Sequence, residues 1–535
     1  MAERDSTPKF DFLAVVLLSV SAVAVYCNTL SAGFVFDDYL HIVDNPNIRS
    51  ISSSLIYFQE PLPPGNLYRP LLLLSYALSW RAAEGAAWFF HGGNVLLHAA
   101  NLVMLYLLLG KLVERRMALL AALILAVHPT PSEAVANISG RSELLAVFFG
   151  AAFLLSALAA LGKCAGSGRL KWELAAALCL LLALLSKESG LSFLLLLLVF
   201  IWHSGPGQLR AFAFSRLAVL SVIASGAYAA LRLSALGPSA ATGGEISFLD
   251  NPLAHLSIKE RILNASYLLT NYIVLIVFPH RQSADYSFAQ FYPLSPVLRN
   301  MEIGQVLSIA IPFLLLLVGG LRARRRDPLG ALILWFFSAF SITGNIFFPI
   351  GTVFADRLAY LATPSVAAAV LLMLSRSFGS GPATVSGVAA FAACAMLTFS
   401  HNPVWHNNLS LWTHQMKVAP FSFKAKANYG AALYENGRLD EAKRYLEESL
   451  AIESGSPGTY RVLGQVYSAL EETEDAGMAF RDALAIDPNN PVTLKAYKEF
   501  REKHPEPLTQ TEAPSGRPSK ISSSAPRDLE ALGPP

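Results

Sequence analysis

Long apolar runs separated by short polar segments fill the first 400 residues of the chain. A helix needs about 20 predominantly apolar residues to cross the hydrocarbon core of a bilayer. This rule predicts about eleven spans, at residues 12–30, 90–112, 117–135, 144–161, 172–185, 190–202, 217–236, 304–321, 329–344, 358–374 and 384–400. The two short runs that flank Lys187 and Glu188 are also compatible with one interrupted hairpin. The pattern predicts an all-α fold that begins with a polytopic membrane bundle over residues 1–400.

The pattern changes after residue 400, where charged and Ala-rich helical sequence replaces the apolar runs. Gly430 recurs as Gly464 and Ala442 recurs as Ala476, both 34 residues further on. Small residues at these offsets of a 34-residue period are typical of tetratricopeptide repeats, whose paired helices pack closely. The sequence therefore predicts an α-solenoid over residues 401–503, with a half-repeat at 405–422, repeats at 423–456 and 457–490, and a cap helix at 491–503. Residues 504–535 are rich in Pro and Ser and are predicted to be a disordered tail.

Composition supports a membrane protein and excludes several other classes. The 535 residues are 53% hydrophobic and only 15% charged, with a formal net charge of +3. So small a charge on so long a chain gives no case for nucleic-acid binding. The four cysteines show no CxxC or CxxH spacing, so neither a disulfide framework nor a structural zinc site is predicted.

Basic clusters predict the orientation of the bundle. They all fall on one side of the alternating spans, which the positive-inside rule makes cytoplasmic: Arg115 and Arg116, then Lys163, Arg169 and Lys171, then Arg210 and Arg216, then Arg322 to Arg326, then Arg376. Residues 262–278 could also cross, but a single crossing there would move the cluster after residue 321 outside. We therefore interpret this segment as re-entrant or as lying against the outer interface. The repeats are then non-cytoplasmic: periplasmic or extracellular, or in the ER lumen if the cell is eukaryotic.

Acidic and basic residues gather at the predicted outer ends of the spans. Asp37 and Asp38 lie just past the first apolar run, and ionised groups at a membrane boundary cost free energy unless they are paired, hydrated or used. A solvated turn is the simpler alternative for this pair. The same predicted face collects other charged residues, among them Arg69, His128, Glu133, Arg141, Glu143, Lys187, Glu188, Asp285, Asp356 and Arg357. Between the first two long spans, residues 71–80 predict an amphipathic helix in the outer interface.

Seven short motifs carry a family resemblance: Gly33-Phe34-Val35-Phe36-Asp37-Asp38, Tyr68-Arg69-Pro70-Leu71, Asn94 to His98, Val127-His128-Pro129 with Glu133 to Ala136, Gly140 to Leu145, Ser186-Lys187-Glu188 and Asp356 to Leu361. Over residues 34–484 the chain resembles the transmembrane-and-tetratricopeptide-repeat family of protein O-mannosyltransferases, and is similar to prokaryotic relatives of it. This family lies within the C-class superfamily of polyprenyl-phosphate-sugar-dependent glycosyltransferases. Two full repeats are visible here, whereas family members often carry longer arrays.

The resemblance implies an inverting sugar transfer on the outer face, from a polyprenyl-phosphate carrier to a hydroxyl acceptor of the protein Ser/Thr kind. It implies that Asp37 or Asp38 is the base, and the turn into Tyr39 favours Asp38. Glu133 then orients the acceptor or the base. A guanidinium suits the leaving phosphate, so Arg357 is the first choice there, with Lys187, Arg69 and Arg141 as alternatives. His128, Glu188 and Asp356 are further candidates.

Simpler structural roles stay open for several of these residues. Arg357 and Asp356 could form an ordinary interfacial ion pair, His128 could only end a span, and the Lys187-Glu188 turn could be held at the water interface by snorkelling. Two adjacent aspartates can ligate a divalent cation, but the resemblance implies a donor that leaves with one phosphate, so no metal or other cofactor is expected. The expected partners are the lipid-linked donor, the bilayer, and a polypeptide acceptor or partner protein at the repeats.

Two other functions compete with the transferase. A noncatalytic membrane scaffold would explain the repeats but leaves the outer charges without a purpose. A transporter of lipid-linked sugars would use those charges as a path, yet the sequence suggests neither charge in the middle of the long spans nor inverted repeats of broken helices. The O-antigen ligase type also uses polyprenyl carriers, but the Asp-Asp pair after the first span does not suit it.

Overall fold

The computed structural model describes residues 8–63, 67–162, 166–205, 212, 215–237, 246–287, 290–294 and 301–504. The regular structure of these residues is helical, apart from isolated bridge positions at Leu62, Leu67 and Phe291. The all-α prediction is therefore confirmed. The chain divides into two compact units, Met1–Ala284 with Pro293–Asn407 and Asp285–Tyr292 with Asn408–Pro535. The predicted tail from residue 505 and the cluster residues Lys163 and Arg210 lie outside the described residues.

The first unit is a bundle of long helices joined by short helical turns. Its longer helices are α1 (Pro8–Tyr26), α2 (Pro70–Ala83), α3 (Ala87–Leu109), α4 (Arg115–Val127), α5 (Arg141–Leu161), α6 (Ser167–Ser186), α7 (Ser192–Ser204), α8 (Arg216–Leu236), α9 (Ile258–Val277), α10 (Ile303–Arg324), α11 (Pro328–Ala339), α12 (Thr363–Phe378) and α13 (Ser380–His401). Short helices cover Cys27–Ser31, Tyr39–Val43, Pro46–Arg49, Ile51–Ser54, Leu55–Phe58, Ser132–Ala136, Ile138–Gly140, Glu188–Leu191, Pro252–His255, Asp356–Ala359 and Asn402–Trp405.

Six helical segments of the described chain are long and apolar enough to cross a membrane: Asp11–Ser31, Ala87–Leu109, Ile138–Leu161, Arg216–Leu236, Ile303–Arg324 and Ser380–Trp405. The predicted count of about eleven is therefore not confirmed. Proline residues explain why two of the helices are shorter than the predicted spans. The span predicted at 117–135 ends at Val127 because Pro129 disfavours helical backbone at the residue before it. The span predicted at 358–374 begins only at Thr363, where Pro364 occupies the first turn.

Helix α9 corresponds to the segment predicted to be re-entrant or interfacial. It runs unbroken for 20 residues from a capping box formed by Ser257 and Glu260. Near its start Arg261 donates to the carbonyl oxygen of Phe347 (3.2 Å), and near its end the carbonyl oxygen of Ile276 lies 2.8 Å from Nε2 of His128. Phe347 lies in the segment between α11 and α12, and His128 lies in the segment after α4. An ion pair between Arg357 and Glu133 links these two segments. These contacts fix both ends of α9, and its placement relative to a membrane stays a prediction.

Helix α2 confirms the helix predicted at residues 71–80. Its apolar side packs against the Tyr39–Phe58 region and α3 in a buried cluster that includes Tyr57, Leu73, Tyr76 and Phe90. The helix ends at Ala83, and Gly85 two residues later has φ +85°, where a Cβ would lie 2.4 Å from the Trp80 ring. The left-handed conformation and the close ring both favour glycine at this position. This packing fixes the residue that precedes α2, Arg69.

The second unit contains α14 (Asn408–Val418), α15 (Phe423–Glu435), α16 (Leu439–Ile452), α17 (Pro457–Ala469), α18 (Thr473–Ile486) and α19 (Pro491–Lys503). The pairs α15–α16 and α17–α18 fall within the two predicted repeats, and α19 falls on the predicted cap. A Cβ on Gly430 would lie 2.7 Å from Leu446, which explains the small residue of the repeat. Asp285 belongs to this unit, where its carboxylate accepts from Ser422 Oγ at 2.9 Å.

Candidate active site

The paired aspartates occupy different environments. Asp37 is half-buried and lines a cavity, whereas Asp38 is fully buried and does not line it. Oδ2 of Asp38 accepts from the Val35 backbone N–H at 3.0 Å, and Oδ1 has no hydrogen-bond partner in the described structure. Burial raises the pKa of Asp38 to about 8, and the charge of Asp37 adds to the rise. Asp38 is therefore mostly protonated at pH 7. The sequence favoured Asp38 slightly over Asp37 as the base, and this placement favours Asp37 instead.

Phe36 sets the direction of the two carboxyl groups. Its backbone has φ +49°, in the left-handed region that bulky side chains seldom adopt. Such conformations cost free energy and are concentrated at functional sites. The turn at Phe36 brings Asp37 to the cavity and leaves Asp38 beneath it.

The cavity has a volume of about 670 Å³, within the size range of small-molecule sites. Its polar lining includes Asp37, His41, Arg69, Ser139, Ser142, Lys187, Glu188, Ser189, Arg232 and Arg357. Apolar side chains form the rest of the wall, among them Leu184, Leu191, Ile342, Phe348, Pro349 and Ile350. A cavity lined by both charged and apolar side chains suits an amphiphilic ligand.

Arg357 and Glu133 form one of the pairs at this cavity. Glu133 is buried in the short helix Ser132–Ala136, and both of its oxygens bind Arg357. Oε2 accepts from the Arg357 backbone N–H at 2.8 Å, and Oε1 accepts from the guanidinium. Burial opposes the charge of Arg357, but Glu133 outweighs it and raises the pKa of the guanidinium. Glu133 thus holds the Arg357 guanidinium in place, and it is not among the residues that line the cavity. The sequence suggested an ion pair between Arg357 and Asp356, but the structure pairs Arg357 with Glu133.

Lys187 and Glu143 form the second pair. Lys187 follows the last residue of α6, is 5% exposed, and donates to Oε2 of Glu143 in the first turn of α5. The lysine lines the cavity from a buried position. Snorkelling to the water interface therefore does not describe it.

Glu188 is shared by two arginines. Its Oε2 accepts from Arg69 Nη2 at 3.0 Å, and its Oε1 accepts from Arg232 Nη1 at 3.1 Å. Arg232 belongs to α8 and lines the cavity, yet sequence reasoning missed it. An arginine inside an otherwise apolar span was the available signal, because such residues are costly unless they have a function. The three residues bring the start of α2, the end of α6 and α8 to one wall.

Arg141 is not among the cavity-lining residues, although the resemblance made it a phosphate candidate. It is 2% exposed and its guanidinium donates to Asn94 Oδ1, Ser79 Oγ and the carbonyl oxygens of Ser75 and Phe90, at 2.8 to 3.2 Å. These bonds tie α5 to α2 and α3. Arg141 therefore supports the framework of the site from behind.

Two other candidates also lie behind the cavity. His128 uses both ring nitrogens locally: Nε2 is 2.8 Å from the Ile276 carbonyl oxygen, and Nδ1 accepts from the Thr130 N–H at 3.2 Å. Asp356 is buried and its Oδ2 accepts from the Ser283 N–H at 3.2 Å. Both residues fix the segments that carry Glu133 and Arg357. Within the described residues, no group of three or more His, Cys, Asp or Glu side chains is placed to hold a metal ion.

Comparison with known proteins connects this architecture to a family. Residues 422–489 match the family model described as "Tetratricopeptide repeat". The chain is 28% identical to "Protein O-mannosyl-transferase F38B6.6" of Caenorhabditis elegans, over 80% of this chain and 61% of the relative. It is 24% identical to "Protein O-mannosyl-transferase TMTC3" of Homo sapiens, over 89% of this chain and 55% of the relative. The chain thus spans about three fifths of the length of the curated relatives it matches.

A solved structure also matches, with a TM-score of 0.41 and 14% identity, over 79% of this chain and 58% of the other. It is the oligosaccharyltransferase of Archaeoglobus fulgidus in the apo form. The curated relatives and the repeat model confirm the resemblance to the transmembrane-and-tetratricopeptide-repeat O-mannosyltransferases. With the six apolar helices, they identify an integral membrane protein.

Proposed function

We propose that the chain is a membrane glycosyltransferase that moves a mannose-like sugar from a polyprenyl-phosphate carrier to a hydroxyl group of a protein Ser or Thr. The observation that carries this proposal is the placement of Asp37 on the same cavity as Arg69, Lys187, Arg232 and Arg357. The names of the curated relatives support the reaction class. The predicted orientation of the spans puts the transfer on the non-cytoplasmic face.

The charges on the cavity wall suit a phosphodiester donor. Glu143 neutralises Lys187, and Glu133 neutralises Arg357. Arg69 and Arg232 share the single carboxylate of Glu188, so one positive charge on this wall is left over. A polyprenyl-phosphate sugar carries one negative charge on its phosphodiester. Guanidinium groups bind phosphate oxygens with paired hydrogen bonds, which favours Arg69 and Arg232 as its ligands.

The transfer then needs one base and one leaving group. Asp37 removes the proton from the acceptor hydroxyl as its oxygen attacks the anomeric carbon of the sugar. The bond from that carbon to the phosphate oxygen breaks, and its electron pair stays on the lipid phosphate. Attack from the face opposite the leaving group inverts the anomeric configuration. Because the side-chain cations stabilise the leaving phosphate, we expect the reaction to proceed without a bound metal.

The repeats of the second unit are proposed to bind the protein acceptor or a partner protein. Arrays of this kind bind extended segments along their inner surface. Deleting residues 421–535 should reduce transfer to a protein acceptor more than transfer to a small soluble acceptor. Equal losses would instead assign the repeats to stabilisation of the membrane unit.

The direct test is to reconstitute the purified chain in liposomes with a panel of radiolabelled polyprenyl-phosphate sugars and a Ser/Thr-containing acceptor protein. Label that enters the acceptor supports the proposal. Label that crosses the bilayer without entering protein would support the transporter. The scaffold becomes the better account if the well-folded chain does neither.

A further inference from the structure

Five arginines gather where α10 ends and α11 begins, and the proposed transfer gives them no role. These residues form the arginine cluster: Arg322, Arg324, Arg325, Arg326 and, from the last turn of α12, Arg376. The carboxylate of Asp327 binds two of them, since Oδ2 accepts from Arg322 Nη1 and Oδ1 accepts from Arg376 Nη2, both at 2.7 Å. The other three are exposed and form no ion pair with another described residue. The cluster therefore carries far more positive charge than the one carboxylate that it binds.

The surroundings of the arginine cluster suit the level of the lipid headgroups. Helix α10 leads into it and is one of the six candidate spans, with only 22% of its apolar window buried inside the protein. Leu314, Leu317 and Leu321 of α10 are each more than half exposed, which suits contact with the hydrocarbon core. Trp202 of α7 is 46% exposed, and its Nε1–H donates to the carbonyl oxygen of Ala323 at 3.2 Å. Tryptophan and arginine at the end of a span are typical of the membrane–water interface.

The turn between α10 and α11 keeps the like charges close together. Arg326 has φ +54°, a conformation that costs free energy in a residue with a side chain. Its guanidinium lies against Gly205, the residue after α7, where a Cβ would be only 3.1 Å from Nη2. Gly205 has φ +140°, so glycine is favoured there by the backbone as well as by this close approach. The turn thus holds cations near one another at a cost that a bound anion would offset.

The arginine cluster and the Asp37 cavity lie at opposite ends of two helices. The cavity residue Leu358 precedes the start of α12, and Arg376 lies in the last turn of that helix. A helix of 16 residues is about 24 Å long. Helix α11 begins directly after Asp327 and ends three residues before the cavity residue Ile342. A donor phosphate in the cavity is therefore too far away to be the ligand of the cluster.

We propose that the arginine cluster is a binding site for the headgroup of an anionic phospholipid. Guanidinium groups bind phosphate oxygens with paired hydrogen bonds. The excess positive charge favours a lipid with a net negative charge, such as phosphatidylglycerol, over phosphatidylcholine, which is neutral overall. Anionic lipids attract basic residues at the cytoplasmic leaflet, and the positive-inside rule predicts that side for this cluster. The inference does not depend on the proposed transfer.

Native mass spectrometry of the detergent-solubilised full-length chain measures the binding directly. The chain is titrated with phosphatidylglycerol and, separately, with phosphatidylcholine, and the wild type should bind the anionic lipid about tenfold or more tightly. Arg324→Gln, Arg325→Gln and Arg326→Gln are combined in one triple variant, which keeps both contacts to Asp327. Its affinity for phosphatidylglycerol should fall by about 10²-fold, at about fivefold for each arginine.

A matched control removes the same charge elsewhere. Arg444→Gln, Arg481→Gln and Arg501→Gln are combined at exposed residues of the second unit, and this variant should bind phosphatidylglycerol within about twofold of the wild type. Wild-type affinity in the cluster variant would overturn the proposal. Equal losses in both triple variants would also overturn it, because net charge would then explain the binding.

Two further measurements complete the test. Inorganic phosphate or glycerol phosphate at the concentration of the lipid should not displace it, and displacement would assign the cluster to a free anion instead. If the cluster variant does not fold, Arg325→Gln alone should weaken binding about fivefold, and an unchanged affinity would overturn the proposal. Sugar transfer is not a readout here, so the lipid site and the proposed function can fail independently.

Discussion

Replacing each of the two aspartates by asparagine gives the sharpest test of the site. Both changes preserve side-chain size and remove the carboxylate, but the environments of the two residues predict opposite phenotypes. Asp37→Asn removes the proposed base at the cavity, so transfer should fall by about 10²- to 10⁴-fold with little change in stability. Asp38→Asn replaces a buried acid that is already mostly protonated at pH 7, and the amide can still accept from the Val35 N–H. Its transfer rate should stay within about tenfold of the wild type.

The pH dependence of stability provides an independent readout for Asp38. Its folded pKa of about 8 lies above the pKa of about 3.9 of an unfolded aspartate. Between these values the folded state binds more protons than the unfolded state, so the free energy of unfolding falls as pH rises. The slope is about 1.4 kcal/mol per pH unit, or about 3 kcal/mol between pH 5 and pH 7. Asn does not titrate, so Asp38→Asn removes this loss.

Thermal unfolding of the detergent-solubilised chain at pH 5, 6 and 7 measures the effect. Relative to the wild type, Asp38→Asn should become progressively more stable as pH rises. The reasoning is refuted if Asp38→Asn loses transfer as severely as Asp37→Asn while remaining folded, or if the stability difference shrinks with pH. The first result would make Asp38 the base, as the turn into Tyr39 suggested.

Other predictions test the cations, the metal and the orientation. Arg232→Gln should raise the donor KM about tenfold or more, because it removes one of the two arginines proposed to bind the phosphate. The acceptor KM should not change. The control Arg444→Gln, at an exposed residue of the second unit, should have no effect. Arg357→Lys should weaken donor use in the same assay, since a point charge replaces a planar fork. Treatment with a chelator should leave the initial rate within about twofold of the untreated rate, and a loss restored by a divalent cation would reassign the leaving-group contact. A reporter active only in the cytoplasm and fused after Ser456 should stay silent, and a strong signal there would reverse the orientation.

The parts of the fold that local sequence controls were predictable. The 34-residue repeat with Gly430 and Gly464 anticipated two helix pairs, because each glycine admits a side chain from its own repeat. The number of spans was not predictable from apolar length alone. Pro129 and Pro364 divide apolar runs into short helices and turns, so an apolar run in the sequence does not correspond to one long helix.

The site was predictable in its residue types but not in its pairings. Glu133 and Arg357 are 224 residues apart in sequence, and no local sequence pattern predicts that they form an ion pair. Arg141 resembled a phosphate ligand because a guanidinium that binds backbone carbonyls looks the same in sequence as one that faces a cavity. The sequence analysis missed Arg232, which does line the cavity. Arg232 does stand out as an arginine inside an apolar span, but only the packing of α8 shows that it meets Glu188.

The pairings also explain how a cavity with little net charge can favour the transition state of the proposed transfer. When Asp37 takes the hydroxyl proton it becomes neutral, and the same negative charge appears on the leaving phosphate. The chemical step therefore moves one negative charge from Asp37 to the leaving phosphate, for which Arg69 and Arg232 are the proposed ligands. Those arginines are held by Glu188 before substrate binds, at 3.0 and 3.1 Å, so they need not reorganise as the charge arrives. Preorganised donors aimed at developing charge stabilise the transition state more than the ground state. Removing Glu188 should then lower kcat more than it raises the donor KM, because the arginines keep their charge but lose their fixed positions.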